Sequence, residues 1–344
     1  MYSINITTMI KIKFEFNIHV LKEGNTVAST LTTGKQVNRT EELVKKVADF
    51  FAISRLEIDK AERKGRFSTA RNYQTAIRSL RRFVGKAELP LHLMDVMLME
   101  QYQRWLREKG ICPNTSSCYM RSLRALYNRA AAEAGIETGK PFGKVYTGHA
   151  ETVKRSVSTD DIRSIRRADL RSKPSLELTR DIFLFCYYAM GMPFVDVAFL
   201  RKDNIKDGFI VYYRHKTGQQ IRIKLESCMY HIMKKYEQAD RPYLFPIISS
   251  EEQRLAHHQY VVALGRYNRC LKRIARIANV ESNLTSYVVR HSWASNAYEQ
   301  NVDLPVISKA LGHTDTQTTL IYIRGINDQR LEHANRKLLK NIQK

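Results

Sequence analysis

Residues 136–157 carry Gly139, Pro141, Gly143 and Gly148 among scattered lysines. Glycine and proline punctuate regular structure, so this stretch separates the periodic blocks on either side of it. Two cores are therefore expected rather than one. The predicted domains are 39–136 and 158–327, joined by a linker at 137–157. A chain of 344 residues has the length for two domains, and its hydrophobic fraction of 43% is enough to fill their cores.

The block before the linker has the period of helices. Four are predicted. The first runs through E-E-L-V-K-K-V-A-D-F-F from Glu41. The second follows a Ser68-Thr69 cap and turns Tyr73, Ile77, Leu80 and Val84 inward. The third is M-L-M-E-Q-Y-Q-R-W-L-R-E-K, stopped by Gly110, and the fourth runs from Asn114-Thr115 to Gly135. Arg121 and Arg124 are three apart and share a face of the fourth helix. Arg78, Arg81 and Arg82 give the second helix a similar basic face. Two basic faces with few acids among them suit a phosphate backbone. Ahead of these helices, residues 10–20 alternate strictly as I-K-I-K-F-E-F-N-I-H-V, a strand signal within a short β-like segment at 1–38.

Beyond the linker, a helix opens at S-T-D-D-I, where Ser158 caps and Asp161 answers it. The apolar stretch from Ile182 to Leu200 contains Asp196 and is broken by Gly191-Met192-Pro193. It reads as a buried helix, a turn and a second short helix, not as a membrane span. Gly208 to Leu225 places two β-rich runs around Lys216-Thr217-Gly218 and predicts a hairpin. Helices are expected near 226–237, 259–279, 285–300 and 304–311. The end of the chain, 328–344, sets Leu331, Leu338, Leu339 and Ile342 at helical spacing. The fold class is thus mainly α with a small β-hairpin or sheet.

The formal charge is +23. An excess of Lys and Arg on this scale calls for a polyanionic partner, DNA or RNA first. The cysteines are Cys112, Cys118, Cys186, Cys228 and Cys270, with no C-x-x-C pair. That argues for a reducing compartment and against a disulfide framework or zinc site. No secretory signal pattern opens the chain, since Lys11, Lys13 and Glu15 interrupt any apolar run. A cytoplasmic, DNA-associated protein is expected, with no membrane partner, no metal and no cofactor.

Cleaving a phosphodiester without metal needs a nucleophile, cations on the non-bridging oxygens and an acid for the leaving alkoxide. A tyrosine hydroxyl, with its pKa of about 10, needs nearby cations or a base to react. Two runs near the C-terminus offer such a set. One is L-T-S-Y-V-V-R-H-S-W-A-S, and the other is I-S-K-A-L-G-H-T-D-T-Q-T-T-L-I-Y. Arg290 stands among Val288, Val289 and Trp293, a setting in which an arginine is costly unless it meets a ligand.

These runs resemble the C-terminal boxes of the tyrosine recombinases, also called the phage-integrase family. The resemblance puts Arg290 at the Arg of the family's His-x-x-Arg. It puts His313 at the second His and Tyr322, nine residues on, at the nucleophile. Lys216, in R-H-K-T-G, matches the hairpin Lys. The upstream run N-T-S-S-C-Y-M-R-S-L-R-A-L-Y-N-R-A-A looks like the core-binding domain. The resemblance spans residues 40–340 and implies a helical core-binding domain at 39–136 and a mixed α/β catalytic domain at 158–327. It casts 1–38 as a remnant of an arm-DNA-binding element and 328–344 as a tail exchanged between protomers.

Two positions depart from the family pattern. Pro193 stands where the first-box Arg belongs, in A-M-G-M-P-F-V-D-V-A-F-L-R-K, and Arg180 and Arg201 are the candidates to replace it. Tyr287 occupies the His of His-x-x-Arg, where a hydroxyl can hydrogen-bond a phosphate but is a weaker base. The resemblance implies a site-specific recombinase, an integrase or an invertase. It would act as a homo-tetramer on double-stranded DNA with an inverted-repeat core site, alongside accessory DNA-bending proteins. The alternatives are a protein on the same scaffold that binds DNA without cleaving it, and a topoisomerase of related chemistry.

Overall fold

The computed structural model describes residues 48–137, 139–152, 155–313 and 316–320, with Arg336 and Leu339. The strand predicted at 10–20, Tyr322, and Leu331, Leu338 and Ile342 of the tail lie outside the described residues. The chain divides into two compact units, 1–150 and 151–344.

Among the described residues, the first unit is built from four α-helices, α1 (Phe50–Arg63), α2 (Phe67–Val84), α3 (Val96–Glu108) and α4 (Pro113–Glu133). α1 and α2 pack on each other and on α4, and α3 packs on α2 and α4. Their apolar stripes meet in a core that includes Phe50, Leu80, Met99, Tyr102 and Leu123. The inner face of α2 is Ala70, Tyr73, Ala76 and Leu80, while Ile77 and Val84 are only half-buried.

The helix starts differ from expectation at two places. α1 runs from Phe50 to Arg63, and its start is fixed by Asp49, whose carboxylate accepts from the Phe51 and Ala52 amides; residues 41–47 of the predicted first helix lie outside the described residues. A carboxylate at this position satisfies amides that the first turn leaves without partners. α2 begins at Phe67, so Ser68 and Thr69 lie in its first turn and do not cap it. The predicted linker is anchored at both ends. Phe142 and Val145 are buried in the first core. Asn114 exchanges two hydrogen bonds with the Ala150 backbone, each 2.9 Å. In the second unit, Val157 is buried and its amide donates to Ser292 Oγ at 2.9 Å.

The second unit is mainly helical around one small sheet. Among the described residues its α-helices are α5 (Thr159–Arg167), α6 (Pro174–Tyr188), α7 (Phe194–Ala198), α8 (Ser227–Tyr236), α9 (Gln253–Ile277), α10 (Val288–Glu299), α11 (Leu304–Leu311) and α12 (Thr316–Leu320). Ser158 and Asp161 form the capping box at α5. α9 starts six residues before its expected position, at Gln253, because Glu252 caps the Arg254 and Leu255 amides. α6 is the central helix and packs against α5, α7, α8, α9 and α10. Its apolar residues explain the long hydrophobic stretch: Phe183 and Phe185 are fully buried, and Phe185 meets Phe245 edge-on at 4.9 Å.

The sheet has three antiparallel strands in the order β1 (Ile205–Lys206), β2 (Phe209–Tyr213), β3 (Gln220–Lys224). Ile210 pairs with Ile223 and Tyr212 with Ile221, and these four side chains are buried on one face. Alternation along β2 therefore carries the next inward position to Arg214, which is also buried.

Asp49 links α1 to the segment before α3, since its carboxylate also accepts from the Leu89 amide at 2.7 Å. Asp49→Ala is expected to destabilise the first unit by about 1–2 kcal/mol. Chemical denaturation followed by circular dichroism checks this, and an unchanged first transition would contradict it.

Candidate active site

Four segments of the second unit meet at one point: the turn after α6, the end of β2, the first turn of α10 and the end of α11. Arg290 lies in the first turn of α10 and is 2% exposed. Its Nη1 donates to the Gly191 carbonyl at 3.1 Å. Its Nη2 donates to the Leu311 carbonyl and reaches His313 Nε2 at 3.2 Å.

Two glycines make these approaches sterically feasible. Gly191 has φ of +72°, and a Cβ there would stand 3.1 Å from Arg290 Cα. Gly312 ends α11 with φ of +65°, and a Cβ there would meet Ile221 Cδ1 at 2.6 Å and Arg214 Cδ at 3.1 Å. Left-handed backbone is open to glycine at little cost. Here the missing side chain is also what lets the arginines in.

His313 follows directly. Its amide donates to the Ser308 carbonyl at 3.0 Å, which fixes the residue beyond the helix end. Arginine can only donate, so His313 Nε2 accepts from Arg290. The ring proton then sits on Nδ1, which donates to Thr319 Oγ1 at 2.9 Å. Burial first, then the charges of Arg290, Arg214 and Lys216, push the imidazole down to about 4. His313 is accordingly neutral at pH 7.

Lys216 is exposed in the turn between β2 and β3. The Arg214 carbonyl closes that turn by accepting from the Gly218 amide, and the Arg214 amide donates to Gln219. Lys216 acts on His313 through its charge, which places it near the cluster. Tyr287 precedes α10 and is 45% exposed, with its ring 5.5 Å from that of His291. The structure thus brings Arg290 and His313 together, with Lys216 close by and Tyr287 one turn before Arg290.

The two candidates for the missing first-box Arg are held elsewhere. Arg180 bonds Asp181 at 2.8 Å and the Ala168 carbonyl at 3.0 Å. Arg201 pairs with Glu251 at 2.6 Å on the surface. Pro193 stands ahead of α7, and its carbonyl accepts from the Asp196 amide at 2.9 Å. Asp196 is buried and faces Arg214, with Oδ2 to Nε at 3.5 Å. Burial raises its pKa against the opposing pull of the His215 amide and Arg214. Neither Arg214 nor Asp196 was singled out from the sequence as a site residue. The strand alternation that turns Arg214 inward, two residues before Lys216, was the available signal.

On the first unit, Arg78, Arg82 and Arg124 are exposed. Arg81 departs from the shared basic face: its guanidinium lies over the Phe51 ring at 4.7 Å. Arg121 reaches His149 Nε2 at 2.8 Å. No cluster of His, Cys, Asp and Glu suited to a metal occurs among the described residues. No described helix is long and apolar enough to cross a membrane.

Residues 49–145 match the phage integrase SAM-like domain, and residues 155–328 match the phage integrase family. A tyrosine recombinase XerD of Listeria monocytogenes serovar 1/2a (strain ATCC BAA-679 / EGD-e) is 25% identical over 276 residues, covering 78% of this chain and 89% of the relative. A tyrosine recombinase XerD of Rhizobium meliloti (strain 1021) is 25% identical over 289 residues, covering 80% and 90%. Among solved structures, a lambda integrase dimer bound to a COC′ core site has a TM-score of 0.60 at 17% identity, covering 92% of this chain and 87% of that one. The Tn1549 transposon integrase in complex with transposon right end DNA has a TM-score of 0.59 at 13% identity, covering 83% and 99%.

The pH dependence of stability follows from His313. An unfolded histidine titrates near 6.5 and this one near 4, so the unfolded chain binds the extra proton in that window. The stability contributed by neutral His313 is present above about 6.5 and is lost as pH falls toward 4. His313→Gln is expected to flatten the decline of unfolding midpoints across this range. A slope identical to that of the parent would count against the assignment.

Proposed function

We propose, for a chain that belongs to the phage integrase family, that it is a site-specific DNA recombinase working through a 3′-phosphotyrosyl intermediate. The observation that carries the reading is the hydrogen bond between Arg290 and His313, with the same guanidinium held on the Leu311 carbonyl and Lys216 in the β2–β3 turn. Tyr322, nine residues past His313, supplies the nucleophile.

In this reading the Tyr322 oxygen attacks the scissile phosphorus. The bond from phosphorus to the 5′ oxygen breaks, and a phosphotyrosine ester forms in its place. Arg290 stabilises the charge that builds on the non-bridging oxygens, as preorganised donors do in a site closed to water. Neutral His313 accepts from Arg290 Nη2 and so holds that guanidinium in place without adding a second full charge. Lys216 delivers a proton to the departing 5′ oxygen. Tyr287, at the position of the family's first His, contributes a hydroxyl to the phosphate. The 5′ hydroxyl of a partner strand then attacks the ester, so bond energy is conserved and no metal or cofactor takes part.

The basic residues Arg78, Arg82, Arg121 and Arg124 would hold the DNA backbone from the first unit, with Arg81 contributing less because it is stacked on Phe51. The domain reading follows the same lines: 39–136 binds the core DNA, 158–327 carries the chemistry, and 328–344 docks on a neighbouring protomer. A lambda integrase tetramer bound to a Holliday junction is similar in fold, with a TM-score of 0.60 at 16% identity. That likeness supports four protomers acting together on DNA; inverted-repeat core sites and assisting DNA-bending proteins are part of the same proposal. The protein would work on DNA in the cytoplasm.

The reading is tested with a nicked duplex from the flanks of its own gene, in the absence of divalent metal. Wild type is expected to give a covalent protein–DNA band on a denaturing gel, and Tyr322→Phe none. DNA bound in a gel shift but never linked would favour the non-cleaving alternative. Lys216→Ala is expected to slow adduct formation by about 10²–10⁴-fold. A substrate with sulfur in place of the bridging 5′ oxygen leaves without a proton, so on it the variant should approach wild type. An equal deficit on both substrates would remove Lys216 from the acid role.

A further inference from the structure

A phosphate site needs more than one cation, and the family position for the second one is Pro193. The fold brings another arginine to the same place. Arg214 is 6% exposed, and its Nη1 donates to the Leu311 carbonyl at 2.7 Å, the carbonyl that also accepts from Arg290 Nη2. Two guanidinium groups therefore converge on one oxygen. Arg214 also reaches the Gly312 carbonyl at 3.5 Å.

A pair of buried like charges is costly unless a counter-charge joins them. The carboxylate beside this pair is Asp196, which faces Arg214 Nε. Among the described residues, one carboxylate stands against the two guanidinium groups, which leaves them net positive. An oxyanion is the ligand that such a pocket takes. Arg214 Nη2 makes no hydrogen bond among the described residues, so it keeps donors for that ligand. Arg214 and Arg290 also both act electrostatically on His313.

The placement of Arg214 is prepared by the turn that lacks the family Arg. Pro193 opens α7, and Asp196, held by its amide on the Pro193 carbonyl, projects toward the end of β2. There Oδ1 accepts from the His215 amide at 2.9 Å while Oδ2 faces Arg214. Gly312, which has no Cβ, leaves the room that Arg214 Cδ occupies.

We infer that Arg214 is the second phosphate-binding cation, entering from the hairpin in place of the arginine that Pro193 displaces, with Asp196 as its positioning residue. This rests on the recombinase reading above. In the transition state Arg214 Nη2 and Arg290 each donate to a non-bridging oxygen of the phosphorus under attack by Tyr322.

The experiment compares wild type, Arg214→Ala and Arg214→Lys on a nicked duplex and on the same duplex with a methylphosphonate at the scissile position. A methyl group there removes the charge that a second cation would neutralise. Arg214→Ala is expected to lose about 10²-fold or more in the rate of adduct formation on the phosphodiester. On the methylphosphonate it should fall within about 10-fold of wild type. Arg214→Lys, which keeps the charge without the fork, is expected to lie between the two. The double variant Pro193→Arg with Arg214→Ala is expected to recover adduct on the phosphodiester, by returning a cation to the family position. Equal rates for wild type and Arg214→Ala overturn the inference. So does a loss of the same size on both substrates, the outcome for a residue that only shapes the turn. Should Arg214→Ala fail to fold, Arg214→Lys on the two substrates decides in the same way. No adduct from wild type would instead bring down the recombinase reading itself.

Discussion

The second unit is organised around the carbonyl oxygen of Leu311. It lies at the end of α11, where helical carbonyls have no partner within the helix. Arg290 from α10 and Arg214 from the end of β2 both donate to it. One unsatisfied acceptor thereby ties a helix, a hairpin and a helix terminus together. Gly312 makes this possible by turning left-handed and presenting no side chain where Arg214 and Ile221 stand. His313 then follows at the one position from which its ring can accept from Arg290. The Leu-Gly-His run is in this sense one structural device: a helix end, a turn and a ligand for arginine.

The same arrangement sets the electrostatics. The arginines remain charged at any working pH, whereas burial and their fields keep His313 neutral. The cluster is a fixed array of donors with a net positive charge, built before any DNA arrives. In the proposed reaction such preorganisation would lower the barrier to a pentacoordinate phosphorus, because the donors need not be reoriented as charge develops. The two glycines, the buried carbonyls and Asp196 hold the array in place and do not themselves enter the chemistry.

Much of this was legible from residue patterns. The two blocks, the capping box at Ser158 and Asp161, the hairpin around Lys216 and the helices at 226–237 and 304–311 follow from periodicity and turn chemistry, which are local. Two of the helix starts are set by acidic caps that the pattern did not pick out, Asp49 at α1 and Glu252 at α9, while α2 starts at Phe67 with no side-chain cap. Those caps compete with neighbouring signals of similar strength. The proximity of Arg290 and His313 was suggested by motif resemblance, not by spacing. Sequence patterning does not mark Arg214, because the contact that draws attention to it is made with Leu311, ninety-seven residues away along the chain. Its inward direction was written in the alternation of β2, yet alternation cannot say what lies opposite. The stacking of Arg81 on Phe51 could not be read from spacing either, since that ring belongs to another helix.

The most direct test is a crystal structure of Tyr322→Phe with a duplex carrying an intact scissile phosphate. The account expects the non-bridging oxygens of that phosphate within 2.7–3.2 Å of donors from both Arg290 and Arg214, with His313 still accepting from Arg290 and Lys216 near the 5′ oxygen. A phosphate bound by Arg290 alone, with Arg214 still confined to the Leu311 and Gly312 carbonyls, would contradict it. So would a duplex seated away from this cluster.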